Sequence, residues 1–328
     1  MSIRSCKVLH RNIILLLKKE TCMPKIKIIL NPTAGMNSAK EKIPLIKELL
    51  KKYDVDYDMD ITQRIGHATE IAERTDGNQY SIIVAAGGDG TCNEVLNGLM
   101  TAKNAGRTIP AMSALPIGRG NDFHYGMGLP HGLEENITII ARGNKKFMDV
   151  GKVVGGIYPQ GRYFGNGIGV GFSTIVGFEA AKLKFIHGFI TYVIGAVKTL
   201  FLYYHAPYLK MELDELILNQ KSIETSIMIG RRFGGAFFMA PSSLNDDGLF
   251  DLCIANDPPR LEMMKLMGKY MKGTQSSSPF VSTKRARNVT LTAIDGTLAV
   301  HADGETICEK GDSIRIECLH RQIQIICE

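Results

Sequence analysis

Three carboxylates stand in turns where an acid can do chemistry. They are Asp89 in Gly87-Gly88-Asp89-Gly90-Thr91-Cys92-Asn93-Glu94, Asp247 in Leu244-Asn245-Asp246-Asp247-Gly248-Leu249, and Asp303 in Asp303-Gly304-Glu305. The first lies between an apolar β-branched run, Tyr80–Val84, and a helical pattern through Glu94–Met100. Strand, glycine turn and helix in that order make a phosphate cradle: glycines admit the ligand to the backbone, and the helix N-terminus adds partial positive charge. Asp89 inside it suits a divalent metal or a polarised water better than a bare phosphate. Around Asp247, three carboxylates (Asp246, Asp247, Asp251) surround a turn; with backbone carbonyls they suit Mg²⁺, and equally they read as a hairpin turn with solvated acids. Asp303 ends a strand, where a carboxylate beside a phosphate site can take the proton of an attacking hydroxyl; the plainer reading is an Asp-Gly turn.

Two more polar turns follow strands. Lys25–Leu30 breaks at Asn31-Pro32-Thr33-Ala34-Gly35, and Ile109–Pro116 ends in Ile117-Gly118-Arg119-Gly120-Asn121-Asp122-Phe123. A second strand, Val55–Ile61, delivers Thr62 and Arg64 to the same level. His67 reads as a first-turn helix residue and Cys92 as a small filler of a tight turn. Strand–helix alternation four times over predicts an open parallel sheet, with these turns meeting along its carboxyl edge.

Beyond residue 147 the pattern changes. Met148–Val154, Tyr163–Val170, Tyr208–Leu213, Ser226–Ile229, Phe250–Ala255 and Val289–Ile294 read as strands, and 288–302 as a hairpin about Asp295-Gly296. A mostly antiparallel, sandwich-like second domain is the expectation. Phe185–Tyr204 is apolar, carries Lys198, and reads as a helix lining an acyl-chain groove rather than a membrane span. Gln275–Pro279 reads as a flexible loop. The basic Lys284-Arg285-Ala286-Arg287 after it is a solvated face or a contact for lipid headgroups.

At 328 residues two domains are expected. The formal charge of +6 is mild, tryptophan is absent, and no basic stretch is interleaved with aromatics, so nucleic acid is not an expected partner. Seven dispersed cysteines without a C-x-x-C pair point to reduced thiols and a cytoplasmic protein. Ile13–Leu17 is too short to span a membrane, and residues 1–22 read as an N-terminal extension.

Taken together, Asn31–Gly35, Gly87–Glu94, Pro116–Phe123, Asp247-Gly248-Leu249 and Asp303-Gly304-Glu305 resemble, in order and spacing, the motifs of the diacylglycerol kinase catalytic domain family of lipid kinases, in its soluble bacterial form. The resemblance runs from Lys25 to near the end of the chain. It implies an α/β domain over 23–146 joined by a C-terminal return at about 306–328, a β-sandwich lipid-substrate domain over 147–305, and ATP in the cleft between them. It implies ATP contacts from Asn31, Thr62, the Gly87–Asn93 loop and position 119, with Pro32, Thr33, Gly35, Glu94, Gly118 and Asn121 of the same motifs beside them. It further implies a structural Mg²⁺ on Asp247 and the carbonyls of Leu244 and Leu249, and Asp303 as the base. One departure stands out: position 119, often a hydroxyl residue in the family, is Arg119. No Walker A or H-R-D motif occurs.

The expectation is therefore an ATP- and Mg²⁺-dependent lipid kinase, making phosphatidic acid from diacylglycerol and associating peripherally with a membrane. Other lipids, such as sphingoid bases, stay open as substrates, and a homodimer stays open as the assembly. An NAD kinase-like enzyme sharing the Gly-Gly-Asp-Gly loop is the rival, and the apolar Phe185–Tyr204 stretch speaks against it.

Overall fold

A computed structural model describes residues 25–35, 38–182 and 189–328. The proposed extension 1–22 and the first part of the apolar stretch, 185–188, lie outside the described residues. Four parallel strands open the chain: β1 (Lys25–Leu30), β2 (Tyr57–Ile61), β3 (Tyr80–Gly87) and β4 (Ala111–Pro116), in the spatial order β2-β1-β3-β4. Of β3 only Ser81 is not buried, as befits a central strand covered by helices on both faces. The helices between them are α1 (Ser38–Lys52), α2 (His67–Arg74) and α3 (Asp89–Asn104), and α4 (Asp122–Gly126) and α5 (Leu133–Arg142) follow β4.

The chain then builds β5 (Lys145–Gly155), β6 (Tyr158–Phe164), β7 (Gly167–Gly171), α6 (Phe172–Ala181) and α7 (Phe189–Leu202). Next come β8 (Tyr208–Leu213), β9 (Leu216–Lys221), β10 (Glu224–Met228), β11 (Phe250–Ala255), α8 (Arg260–Lys272) and β12 (Val281–Ala286). The last strands are β13 (Asn288–Asp295), β14 (Leu298–Ala302), β15 (Glu305–Gly311) and β16 (Ser313–Ile326). Among the described residues these strands form two sheets. One has ten strands and runs β2-β1-β3-β4-β16-β13-β8-β9, with β5 on β16 and β6 on β5; the other has six, in the order β12-β11-β10-β7-β14-β15. The fold is thus an N-terminal parallel-sheet α/β region with a C-terminal antiparallel region. β16 joins them, pairing Ile325 in parallel with Met112 of β4 and running antiparallel to β5 and β13. Residues 146 and 147 lie inside β5, so one sheet crosses the boundary that the sequence suggested there.

Three local expectations are corrected. Tyr163–Val170 is not one strand: it divides into β6 and β7, in different sheets, because the amides of Gly165, Asn166 and Gly167 turn to the Asp303 carboxylate. Residues 288–302 are not a hairpin. β13 pairs with β8 and β16 while β14 pairs with β7 and β15, so the Asp295-Gly296 turn carries the chain between sheets. Finally, Gln275–Ser277 is a 3₁₀ turn, anchored where buried Gln275 donates to the carbonyls of Phe238 and Met239 at 2.7 and 2.9 Å. Among the described residues no helix is long and apolar enough to cross a membrane.

Candidate active site

The three polar turns meet at the carboxyl edge of the parallel strands, and glycine makes the meeting possible. A Cβ on Gly118 would lie 2.4 Å from the Gly88 Cα, and one on Gly35 only 2.5 Å from the Ile117 carbonyl oxygen. Around them lies a polar cavity of about 610 Å³. Asn31, Pro32, Thr33 and Gly35 line it from the first turn, Thr62 from the end of β2, and Gly88, Gly90, Thr91 and Glu94 from the second turn and α3; Gly118 and Arg119 complete it. Asn31 organises two of the turns: its amide donates to Thr91 Oγ1 at 3.1 Å, and its Oδ1 accepts from the Thr33 amide and hydroxyl. Gly88 caps α3 with no side-chain bond to the first turn, which leaves that turn's amides to an anion.

Not every residue of those motifs faces the cavity. Gly87 gives room to Thr91, whose Oγ1 would be 2.3 Å from a Cβ there. Buried Cys92 belongs to the hydrophobic core, and burial drives its thiol pKa well up. Asn93 is fully buried and donates to Asp303 Oδ2 at 3.0 Å. Asn121, at φ 52°, donates to the Gly118 carbonyl and so shapes its own turn. Glu94 also holds α2, accepting from the amides of Gly66 and Ala68 at 2.9 and 3.1 Å.

A second cavity, of about 550 Å³, lies on the antiparallel side. Its far walls are apolar: Phe172, Val176 and Gly177 of α6, Ala196 of α7, Met263, Met267 and Tyr270 of α8, and Phe233 and Phe237 from the segment after β10. Buried Glu224 sits in this wall, accepting from Ser173 N, Ser173 Oγ and Ser226 Oγ at 2.7 to 2.8 Å; burial pushes its pKa up to about 7. The near end is acidic, with Asp89, Asp122, Asp303 and Glu305. Gly90, Arg119 and Glu305 line both cavities. Arg119 is exposed and makes no ion pair or hydrogen bond among the described residues.

Asp303 is the best-anchored acid of the site. Its Oδ1 accepts from the amides of Asn166 and Gly167, each at 3.0 Å, and its Oδ2 from Gly165 N at 2.8 Å and Asn93 Nδ2 at 3.0 Å. Burial raises its pKa and the four donors oppose the rise. Asp89 is also raised, mainly by burial and further by Asp303, although its Oδ1 accepts from Phe123 N at 2.9 Å. Asp122 is pushed up to about 7 by burial and then by Asp89, against the pull of Arg232, whose Nε lies 3.0 Å away. The charge of Asp89 thus opposes that of Asp122 at the junction, and Arg232 offsets part of it.

The carboxylate and two carbonyls implied for a structural Mg²⁺ lie at the turn before β11, where Asp247 has these partners among the described residues. Asp247 Oδ2 is ion-paired with Arg285, and its Oδ1 accepts the Leu249 amide at 3.2 Å. The guanidinium also reaches Asp251 at 3.4 Å. Arg232 and α8 are not among the residues singled out by pattern alone. Arg231-Arg232-Phe233-Gly234-Gly235, a basic pair before a glycine turn, was the available signal for the first.

Comparison with known proteins gives a consistent picture. Residues 25–153 match the diacylglycerol kinase catalytic domain, and residues 166–327 match the YegS C-terminal NAD kinase beta sandwich-like domain. A diacylglycerol kinase of Staphylococcus saprophyticus is 29% identical over 282 residues, covering 86% of this chain and 88% of that one. One from Staphylococcus aureus is also 29% identical, over 86% of each chain. A crystal structure of a diacylglycerol kinase from Bacillus anthracis shares the fold, with a TM-score of 0.70 at 21% identity, over 94% of this chain and 98% of that one.

Proposed function

We propose that this chain, an ATP-dependent kinase whose residues 25–153 match the diacylglycerol kinase catalytic domain, transfers the γ-phosphate of ATP to a lipid hydroxyl, with diacylglycerol the acceptor and phosphatidic acid the product. The observation that carries this reading is a pair of adjoining cavities, one lined by glycine turns and polar side chains and one walled largely by apolar side chains, that share Gly90, Arg119 and Glu305. A nucleotide fits the glycine-lined side and an acyl chain the apolar side, so the reacting oxygen and phosphorus meet at the shared wall.

Phosphoryl transfer is mostly a matter of position and charge. The first-turn amides of α3 face the phosphates, and the unpaired guanidinium of Arg119 stabilises the equatorial oxygens as charge spreads onto them. Were magnesium to enter with ATP, Asp89 would offer a hard oxygen for it or for one of its waters, and it would supply neutralisation of the phosphate charge. The lipid oxygen attacks the γ-phosphorus, the bond to ADP breaks, and the hydroxyl proton passes to Asp303. Burial suits that carboxylate to a base. Three of its four donors are backbone amides, so the Asn93 side chain is the one that yields to the incoming hydroxyl.

The test is transfer of labelled γ-phosphate from ATP to a panel of lipids in mixed micelles. Label in phosphatidic acid supports the reading, and label in another lipid keeps the mechanism with a different acceptor. Transfer to NAD and to no lipid would sink it.

A further inference from the structure

Asn93 reaches Asp303 with one end of its amide, and a cation grips the other end. Its Oδ1 accepts from Arg162 Nη2 at 2.6 Å and from Asn97 Nδ2 at 3.1 Å. Its Nδ2 donates to Asp303 Oδ2 and to the Tyr163 carbonyl, each at 3.0 Å. A guanidinium, an amide and a carboxylate are thus linked in series, from β6 through α3 to the turn after β14.

Two features point to a purpose beyond packing. Asparagine is a poor helix former, yet α3 carries two of them, buried and four residues apart. Asn97 fastens the helix to β6: its Oδ1 accepts from Tyr163 N at 3.0 Å, and its Nδ2 donates to Tyr163 O at 2.9 Å. Arg162 stands next to that anchor and makes no ion pair among the described residues. Its guanidinium lies 5.2 Å from the Tyr158 ring centroid, and its buried Nε has no hydrogen-bond partner. A buried donor left without a partner costs free energy that an apolar side chain of similar length would not. Stability alone does not explain this arginine.

The chemistry of the partners fixes which way the Asn93 amide points. A guanidinium only donates, and an ionised carboxylate only accepts. Turned over, the amide would set its N–H groups against the guanidinium and its oxygen against the carboxylate. Arg162 therefore keeps the Asn93 N–H on Asp303, and its charge polarises the amide toward that anion. The second acceptor makes release orderly. When an acceptor hydroxyl takes the place of Nδ2 on Asp303 Oδ2, Nδ2 retains the Tyr163 carbonyl and is not left orphaned.

We propose that Arg162 is a positioning residue for phosphoryl transfer: acting through Asn93, it keeps the Asp303 carboxylate oriented to take the hydroxyl proton. The proposal rests on the reading of Asp303 as the base. Neither Arg162 nor Asn93 lines either cavity, so the effect falls on turnover and not on binding.

The full chain is compared with Arg162→Met, Arg162→Lys, Asn93→Ala and the Arg162→Met/Asn93→Ala double variant, each shown by its melting temperature to fold. Labelled γ-phosphate transfer in mixed micelles, to diacylglycerol or to the panel lipid that the wild type phosphorylates fastest, gives kcat and both KM values. Arg162→Met should lower kcat about tenfold with both KM values within about twofold of wild type, and Arg162→Lys should regain part of the loss. On the Asn93→Ala background, Arg162→Met should change kcat by less than about twofold, because the route through the amide is already cut. Losses that multiply in the double variant, or a lysine variant no better than the methionine one, overturn the proposal: Arg162 then serves the fold alone. Wild-type turnover by Arg162→Met overturns it as well. If Asn93→Ala does not fold, the methionine and lysine variants decide between these outcomes. A wild type that transfers phosphate to no lipid of the panel overturns the lipid-kinase reading, and this proposal with it.

Discussion

The two cavities are built by opposite means. The polar one is made of backbone: three turns that close on each other because Gly35, Gly88 and Gly118 lack side chains, and a helix N-terminus left free of a side-chain cap. The apolar one is made of side chains, gathered from three helices and from the segment after β10. Backbone cradles bind what every nucleotide has in common, its phosphates. Walls of Met, Phe and Val are defined by volume and can change with little effect on the cradle. The chemistry belongs to neither side alone, since Arg119 and Glu305 face both and Asp303 is held by donors from both β7 and α3.

Changes at the junction should do the most harm. Asp303→Asn removes the proposed base and the charge that holds Gly165–Gly167, so kcat should fall by about 10²–10⁴, with a lower melting temperature. Retained activity would remove Asp303 from the chemistry. On the polar side, Gly118→Ala puts a Cβ against the Gly88 backbone, and an overpacking cost of about 1–3 kcal/mol predicts roughly a tenfold to hundredfold loss of ATP affinity by titration calorimetry. Arg119→Ala should lower kcat/KM about tenfold or more, in line with loss of a charged hydrogen bond, and Arg119→Lys should restore part of it. Full activity in the alanine variant would leave the unpaired guanidinium without a role.

On the apolar side the expected effect is on stability and depends on pH. The folded pKa of Glu224, about 7, lies above its ordinary value of 4.5. Its neutral form therefore contributes stability that is fully present below about pH 4.5 and lost as pH rises through 7, by at most about 3 kcal/mol. Glu224→Gln should melt at a less pH-dependent temperature than wild type between pH 5 and 8, with ATP affinity unchanged. Parallel melting curves would show that Glu224 titrates normally.

The same division explains what could be read from sequence. The glycine turns were legible because local conformation fixes them, with the strand before Gly87 and the helix after it declared by periodicity. Which members of a motif face a ligand was not legible: Cys92, Asn93 and Asn121 turn inward, and only tertiary packing decides that. Neither was sheet membership in the second half. The apolar alternation in β13 and β14 is the same whether the strands pair with each other or lie in different sheets, and the Asp295-Gly296 turn suits both. The Tyr163–Val170 run hid a break because its cause, the Asp303 carboxylate, is more than 130 residues away in sequence. The Asp247–Arg285 pair was not legible either, because Arg285 lies on β12, where no spacing rule reaches.

Gly177 offers the most direct test of the central claim, that nucleotide and lipid occupy separate cavities joined at one wall. Gly177 lines the apolar cavity from α6, and a Cβ there would have nothing within 4 Å. Steady-state kinetics of Gly177→Leu on a long-chain diacylglycerol should show the lipid KM raised about tenfold and the ATP KM within about twofold of wild type. A rise in the ATP KM, or no change in either constant, would contradict it.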